Sequence, residues 1–267
     1  MLDLKQLTAD VCRIATEVGH FLKEERKNFR RERVVEKHAH DYVSYVDKES
    51  EVRVVKVLTA LLPEAGFITE EGSATYQDEP YCWVIDPLDG TTNYIHDEAP
   101  YCVSIALRSR TELLLGVVYE VCRDECFYAW KGGKAFMNGE EIHVSNVEDI
   151  KDAFVITELP YNHLQYKQTA LHLIDQLYGV VGGIRMNGSA AAAICYVAIG
   201  RFDAWMEAFL GKWDYSAAAL IVQEAGGKVT DFYGEDHFIE GHHILATNGN
   251  LHPFFQKLLA EVPPLNM

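Results

Sequence analysis

The chain has 267 residues, 48% hydrophobic and 24% charged, enough apolar content to bury a sizeable core in one large domain or two closely packed halves. Its 40 acidic against 24 basic residues give a net charge of −16, which disfavours nucleic acid and anionic membranes as partners. No window approaches the ~18 apolar residues of a membrane helix. The opening Met1-Leu2-Asp3-Leu4-Lys5 is amphipathic, unlike a signal peptide, so a cytoplasmic protein is expected. Cys12, Cys82, Cys102, Cys122, Cys126 and Cys195 are scattered, mostly in apolar runs, and read as buried reduced thiols. Cys122 and Cys126 have no second Cys or His pair to complete a zinc site.

Residues 4–28 read as a long helix, with Leu4, Leu7, Val11, Ile14, Val18, Phe21 and Leu22 at helical spacing. Residues 23–33 are strongly charged, as a solvated helix end and loop would be. Ser44-Tyr45-Val46-Asp47 opens a second helix that Pro63 and Gly66 stop. Asp47 falls in its first turn, where a carboxylate suits the positive end of the helix dipole. Residues 66–69 form a short strand that runs into Glu70-Glu71-Gly72, an acidic pair that by itself reads as solvated.

Residues 81–85 form a buried strand with Asp86 at its carboxyl end. Pro87 lacks an N–H and cannot continue a central strand, so a turn is expected there, completed by Asp89-Gly90. Two carboxylates on one tight turn repel each other, and a divalent cation removes the conflict. Mg²⁺ prefers carboxylate and carbonyl oxygens, and the Leu88 carbonyl lies between the two acids. The N–H groups after Gly90 could cradle a phosphate. An ordinary turn is the alternative, since Asp-Pro and Asp-Gly are both common turn dipeptides. A calcium EF-hand loop fails on spacing, because Leu88 and Gly90 occupy its acidic positions.

Strands follow at residues 101–107, 113–121, 126–130 and 135–137, an antiparallel meander with hairpins at Gly132-Gly133 and Asn138-Gly139. From Ala153 strand and helix alternate. A strand at 153–157 and a helix at 163–178 lead to Met186-Asn187-Gly188-Ser189, which opens an alanine-rich helix. That entry either offers free N–H groups to a ligand or simply allows close packing. A strand at 201–208 carries Glu207 near its end. A helix follows over 213–227, with Asp214 in the place of an N-cap. A strand at 244–246 and a helix at 251–260 close the chain. The histidines lack the spacing of a helical zinc pair and read as structural. Residues 1–148 thus read as an α+β half carrying the acidic turn, and 149–267 as an α/β half packed with it in one compact unit.

Asp86-Pro87-Leu88-Asp89-Gly90-Thr91-Thr92-Asn93-Tyr94 resembles the core motif of the inositol monophosphatase family of Mg²⁺-dependent, lithium-sensitive phosphatases. Glu70-Glu71, and Trp213-Asp214 followed by Glu224-Ala225-Gly226-Gly227, resemble its other motifs in the same order. The resemblance is clearest from Asp47 to Gly227. It implies a layered α/β/α/β/α sandwich of the inositol monophosphatase and fructose-1,6-bisphosphatase type, as a homodimer. It implies that Glu70, Asp86 and the Leu88 carbonyl hold one Mg²⁺, and Asp86, Asp89 and Asp214 a second, with a weaker third near Glu70. Thr91, paired with Asp47, would orient the attacking water, with Glu70 beside it. Gly90, Thr91, Gly188, Ser189, Ala190 and Glu207 would contact substrate, and Lys37 corresponds loosely to a family lysine near the site.

The implied reaction is hydrolysis of a small phosphate ester. Thr92-Asn93-Tyr94 favours the inositol branch over sugar bisphosphates and 3′-phosphoadenosine 5′-phosphate. A catalytically silent metal-binding regulator is the alternative of another class. No nucleic-acid or membrane partner is expected.

Overall fold

A computed structural model describes residues 2–29, 32, 34–38, 41–160 and 163–262, with the backbone alone at 35–38, 41–43 and 237. The Lys37 side chain therefore lies outside the described residues. The first helix, α1 (Leu4–Lys27), is capped by Asp3, whose carboxylate accepts the Gln6 N–H, and buries Val11, Ala15 and Leu22 on one face. The charged stretch after it leads into a hairpin, β1 (Val35–His38) and β2 (Asp41–Val43), which the charge pattern does not foretell. Helix α2 (Tyr45–Leu61) begins at the Ser44 cap and places Asp47 in its first turn.

A seven-stranded sheet follows, with strands in chain order: β3 (Ala65–Thr69), β4 (Tyr81–Asp89), β5 (Cys102–Ser109), β6 (Leu113–Glu120), β7 (Glu125–Trp130), β8 (Ala135–Met137) and β9 (Glu140–Glu141). Short helix α3 (Thr91–His96) links β4 to β5. The β3/β4 pair is parallel and the rest are antiparallel, as expected of a meander. The second sheet contains β10 (Phe154–Thr157), β11 (Gly183–Arg185), β12 (Ala204–Ala208), β13 (Lys228–Thr230) and β14 (His243–Thr247), in the order β11-β10-β12-β14-β13. Crossovers through α4 (Lys167–Leu177) and α5 (Ala190–Ala198) make β10, β11 and β12 parallel. After α6 (Lys212–Glu224), β14 runs antiparallel to both neighbours, and α7 (His252–Ala260) ends the fold. The second sheet is therefore mixed, and β12 starts at Ala204 because residues 201–203 only lead into it.

Both sheets are covered on both faces, which explains their nearly continuous apolar strands. On β4, Trp83 and Ile85 face the core under α1 and α2. Cys82 and Val84 face the opposite core, which the first sheet shares with α5, α6 and the inner face of the second sheet. On β12, Trp205 joins this central core, while Ala204, Met206 and Ala208 pack toward α4 and α7. The layers are thus α/β/α/β/α, as the resemblance implies. Helix α5 lies between two sheets and is buried at every position, so it is apolar all round.

The cysteines are free thiols, with Cys82, Cys102 and Cys195 buried. Cys122 is exposed, against expectation, because it sits in the β6–β7 turn. No helix among the described residues is long and apolar enough to cross a membrane.

Candidate active site

The acidic site forms where the parallel pairing of β3 with β4 ends. Their parallel pairing sets Thr69 beside Ile85, so the next residues, Glu70 and Asp86, emerge side by side. The Glu70 N–H donates to the Ile85 carbonyl at 3.3 Å. Buried Glu51, on α2, holds the loop that follows, its carboxylate accepting the N–H groups of Glu71 and Ser73 at 2.8 Å each.

The chain does not leave the sheet at Pro87. Strand β4 continues to Asp89 through a bulge, with Asp86 opposite Ser104 and Asp89 opposite Cys102. Proline is tolerated there because the described pairing with β3 ends at Ile85, and on the β5 side Pro87 lies within the irregularity. In a regular strand, residues three apart point to opposite faces. Here three steps along β4 match two along β5, so Asp86 and Asp89 share one face. It is the face toward α5 and α6. Gly90 then takes a left-handed φ of 91°, and a Cβ there would lie 3.0 Å from the Pro100 carbonyl oxygen.

Asp214 comes from α6, at its third position and not at its cap. Gly211 is the cap residue, and its N–H donates to Asp214 Oδ2 at 2.6 Å. The Ser104 hydroxyl donates to the Trp213 carbonyl at 3.2 Å, tying β5 to the start of that helix. Asp86, Asp89 and Asp214 thereby bring oxygens within 4.8 Å of one another, an arrangement that could hold a metal ion.

Backbone N–H groups orient each carboxylate. Asp86 Oδ1 accepts from the Leu88 N–H at 2.9 Å. Asp89 Oδ2 accepts from the Ser189 hydroxyl at 2.6 Å and the Ala191 N–H at 2.8 Å, and Asp89 Oδ1 from the Ala190 N–H at 3.3 Å. The Gly-Ser entry of α5 is therefore not an open anion site, because Asp89 occupies its N–H groups. Burial pushes the Asp86 carboxyl well above its usual range, reinforced by the charges of Glu70, Asp89 and Asp214. Burial also raises Asp89, while its hydrogen bonds pull the other way. A buried all-oxygen cluster under this repulsion fits a hard divalent cation.

Beside the cluster, the Thr91 hydroxyl is 2.9 Å from Asp47 Oδ1 and 3.0 Å from the Leu88 carbonyl oxygen. Its single proton can serve either acceptor. Asp47 Oδ2 accepts from the Ser44 hydroxyl at 2.6 Å and the Ser44 N–H at 2.9 Å, so this carboxylate is anchored from both sides.

A cavity of about 880 Å³ opens from the cluster, and Asp89, Asp214, Gly188, Ser189, Ala190 and Glu207 contribute to its wall. Among the described residues no Lys or Arg lines it, so a bound anion would depend on cations from solution. Glu207 is pushed well above the usual carboxylate range by burial, then by the nearby charges of Glu158, Asp214 and Asp89. Glu158 and Glu51 are the neighbours that the motif reading did not single out. The signal for Glu158 was available: like Glu70, it is an acid just beyond the carboxyl end of a strand, here β10. Glu51 lies mid-helix and had none.

The profile of the inositol monophosphatase family matches residues 3–263. The chain is 39% identical over 236 residues to Nus factor SuhB of Pseudomonas aeruginosa, covering 86% of each. It is 35% identical over 273 residues to inositol monophosphatase of Dictyostelium discoideum, covering 99% of each. Its structure resembles inositol monophosphatase from Anabaena (Nostoc), with a TM-score of 0.88 at 31% identity over 99% of both chains. It also resembles the extragenic suppressor protein suhB of Bartonella henselae, with a TM-score of 0.89 at 33% identity over 96% of this chain and 99% of the other.

Proposed function

Because the chain belongs to the inositol monophosphatase family, we propose that it is a Mg²⁺-dependent phosphomonoesterase acting on inositol monophosphate or a related polyol phosphate. The observation that carries this reading is the meeting of Asp86, Asp89 and Asp214, of which Asp89 and Asp214 line a cavity together with Glu207. In this reading Glu70, Asp86, the Leu88 carbonyl, Asp89 and Asp214 hold two Mg²⁺ ions, with Glu70 close to a third. When bound, Mg²⁺ neutralises phosphoryl charge and lowers the pKa of water.

The chain's own groups do the positioning. Thr91 donates its proton to Asp47 or the Leu88 carbonyl, which leaves the Thr91 oxygen to accept from an attacking water. The N–H groups of Gly90 and Thr91 receive phosphate oxygens, and Ser189 and the Ala190 N–H fix the Asp89 carboxylate. Glu207 takes hydrogen bonds from substrate hydroxyls, which a polyol supplies and an apolar alcohol does not.

A second reading is favoured by the relatives named Nus factor SuhB: a role exerted by binding rather than hydrolysis. A phosphate-release panel separates the two, with Mg²⁺ and after EDTA treatment. Inositol monophosphates, fructose 1,6-bisphosphate and 3′-phosphoadenosine 5′-phosphate cover the substrate choices. We expect release with Mg²⁺ that EDTA abolishes and added Mg²⁺ restores. No release from any ester, or full release in metal-free buffer, defeats the proposal.

A further inference from the structure

We propose that Glu158 is a positioning residue for Asp89, acting through the turn at residues 187–189 and the first turn of α5. The inference rests on the reading of Asp89 as a metal ligand. Glu158 follows β10 and is only 6% exposed. Its Oε1 accepts the Asn187 N–H at 2.8 Å, and both of its oxygens lie 3.3 Å from the Gly188 nitrogen. On the other side of the turn, Asn93 Nδ2 donates to the Asn187 carbonyl at 2.7 Å and to the Pro100 carbonyl at 2.8 Å. Asn187 is thus held at both its N–H and its carbonyl. Gly188 takes a left-handed φ of 73°, and the chain turns there into α5.

The consequence falls on the next three residues. The Ser189 hydroxyl and the N–H groups of Ala190 and Ala191 all converge on the Asp89 carboxylate. If the turn shifts, all three donors shift with it, and Asp89 loses the bonds that set its rotation. Loss of a group that orients a metal ligand typically costs about 10–100-fold in metal affinity or activity.

Anchoring by a carboxylate is costly here, which argues for a positional demand. No Lys or Arg pairs with Glu158 among the described residues, and Asp89 lies close enough to repel it. Burial, and secondarily that charge, hold its carboxyl up at about 7 against the pull of the two N–H groups. An acid that served only to fill space could be replaced by an apolar side chain.

The test uses the full chain carrying Glu158→Ala, Glu158→Asp or Glu158→Gln. Metal affinity is read by titration calorimetry with Mg²⁺ and with Mn²⁺, alongside the Mg²⁺ dependence of phosphate release and the melting temperature. Glu158→Ala should weaken metal binding about tenfold, the lower end for loss of a group that orients a ligand. Turnover should largely recover at saturating Mg²⁺. Glu158→Asp keeps the charge but falls short of the turn, so it should behave like Glu158→Ala. Glu158→Gln still offers an oxygen to the Asn187 N–H and should stay within about threefold of the parent, a residual loss smaller than that of a full orienting contact.

Unchanged metal affinity in a folded Glu158→Ala or Glu158→Asp protein overturns the proposal. So does the reverse ranking, with Glu158→Asp benign and Glu158→Gln damaging, because charge rather than position would then matter. Should Glu158→Ala not fold, the comparison of Asp with Gln decides alone. A parent chain that binds no divalent ion overturns the metal-site reading as well, whereas a parent that binds and a variant that matches it overturns only the role of Glu158.

Discussion

Asp89→Asn separates charge from shape at the proposed metal site. The substitution keeps volume and removes one negative charge from a cluster in which Asp86, Asp89 and Asp214 oxygens lie within 4.8 Å. Repulsion alone would make the change stabilising, but the donors around Asp89 temper that gain. The Ser189 hydroxyl at 2.6 Å and the Ala191 N–H at 2.8 Å both point at Oδ2, and the Ala190 N–H lies 3.3 Å from Oδ1. An asparagine satisfies most of them by placing its oxygen where Oδ2 lies. Its NH₂ then opposes only the long Ala190 contact.

We expect a net stability change of about 1 kcal/mol or less in either direction, on the scale of one weak hydrogen bond. For a chain of this size that corresponds to a shift of roughly 2–4 °C. Turnover should fall at least ~10²-fold at saturating Mg²⁺, the scale of one lost preorganised electrostatic contact. The assay is phosphate release from inositol 1-phosphate across a Mg²⁺ series, paired with thermal melting. A folded variant with near-normal turnover removes Asp89 from the site. A melting loss above ~10 °C would show that the charge itself, and not the hydrogen-bond pattern, holds α5 in place.

Because burial favours the neutral Glu207 carboxyl, Glu207→Gln should cost ~0.5–1.5 kcal/mol in kcat/KM on inositol monophosphate, the net range for a hydrogen bond between neutral groups, and leave p-nitrophenyl phosphate nearly unaffected. Equal losses on both esters would assign Glu207 to support of the fold or the metals. His252 gives a pH prediction away from the site. Its ring is buried between the Thr230 and Thr247 hydroxyls at 3.1 and 2.9 Å, and burial, then the Lys228 charge, holds its pKa down to about 4. The unfolded chain therefore binds this proton more tightly, so the contribution is complete above the unfolded value near 6.5 and is lost as pH falls toward 4. We expect a loss of roughly 1–3 kcal/mol, taken below the full linkage value because some screening remains. Melting of the parent and His252→Gln at pH 7.5 and 4.5 should show a shallower pH slope in the variant, and equal slopes would refute the assignment.

Elements whose signals are local were legible in the order of residues alone. The apolar spacing of α1, the meander from β5 to β8 and the alanine-rich α5 are periodicities read within a dozen or so residues. The acids of the site were legible for the same reason, since Glu70, Asp86, Asp89 and Asp214 sit at strand ends or a helix start inside recognisable motifs. The hairpin of β1 and β2 escaped because charged residues mask its backbone pairing. The remaining features depend on register and on partners far apart in the chain. The bulge that puts Asp86 and Asp89 on one face exists only in the pairing of β4 with β5. The α5 N–H groups meet Asp89 from a hundred residues away, so the entry that reads as open to a ligand is already filled by the chain's own carboxylate. Glu158 and Glu51 act on backbone N–H groups, which every non-proline residue carries, so no residue type in the sequence marks their targets.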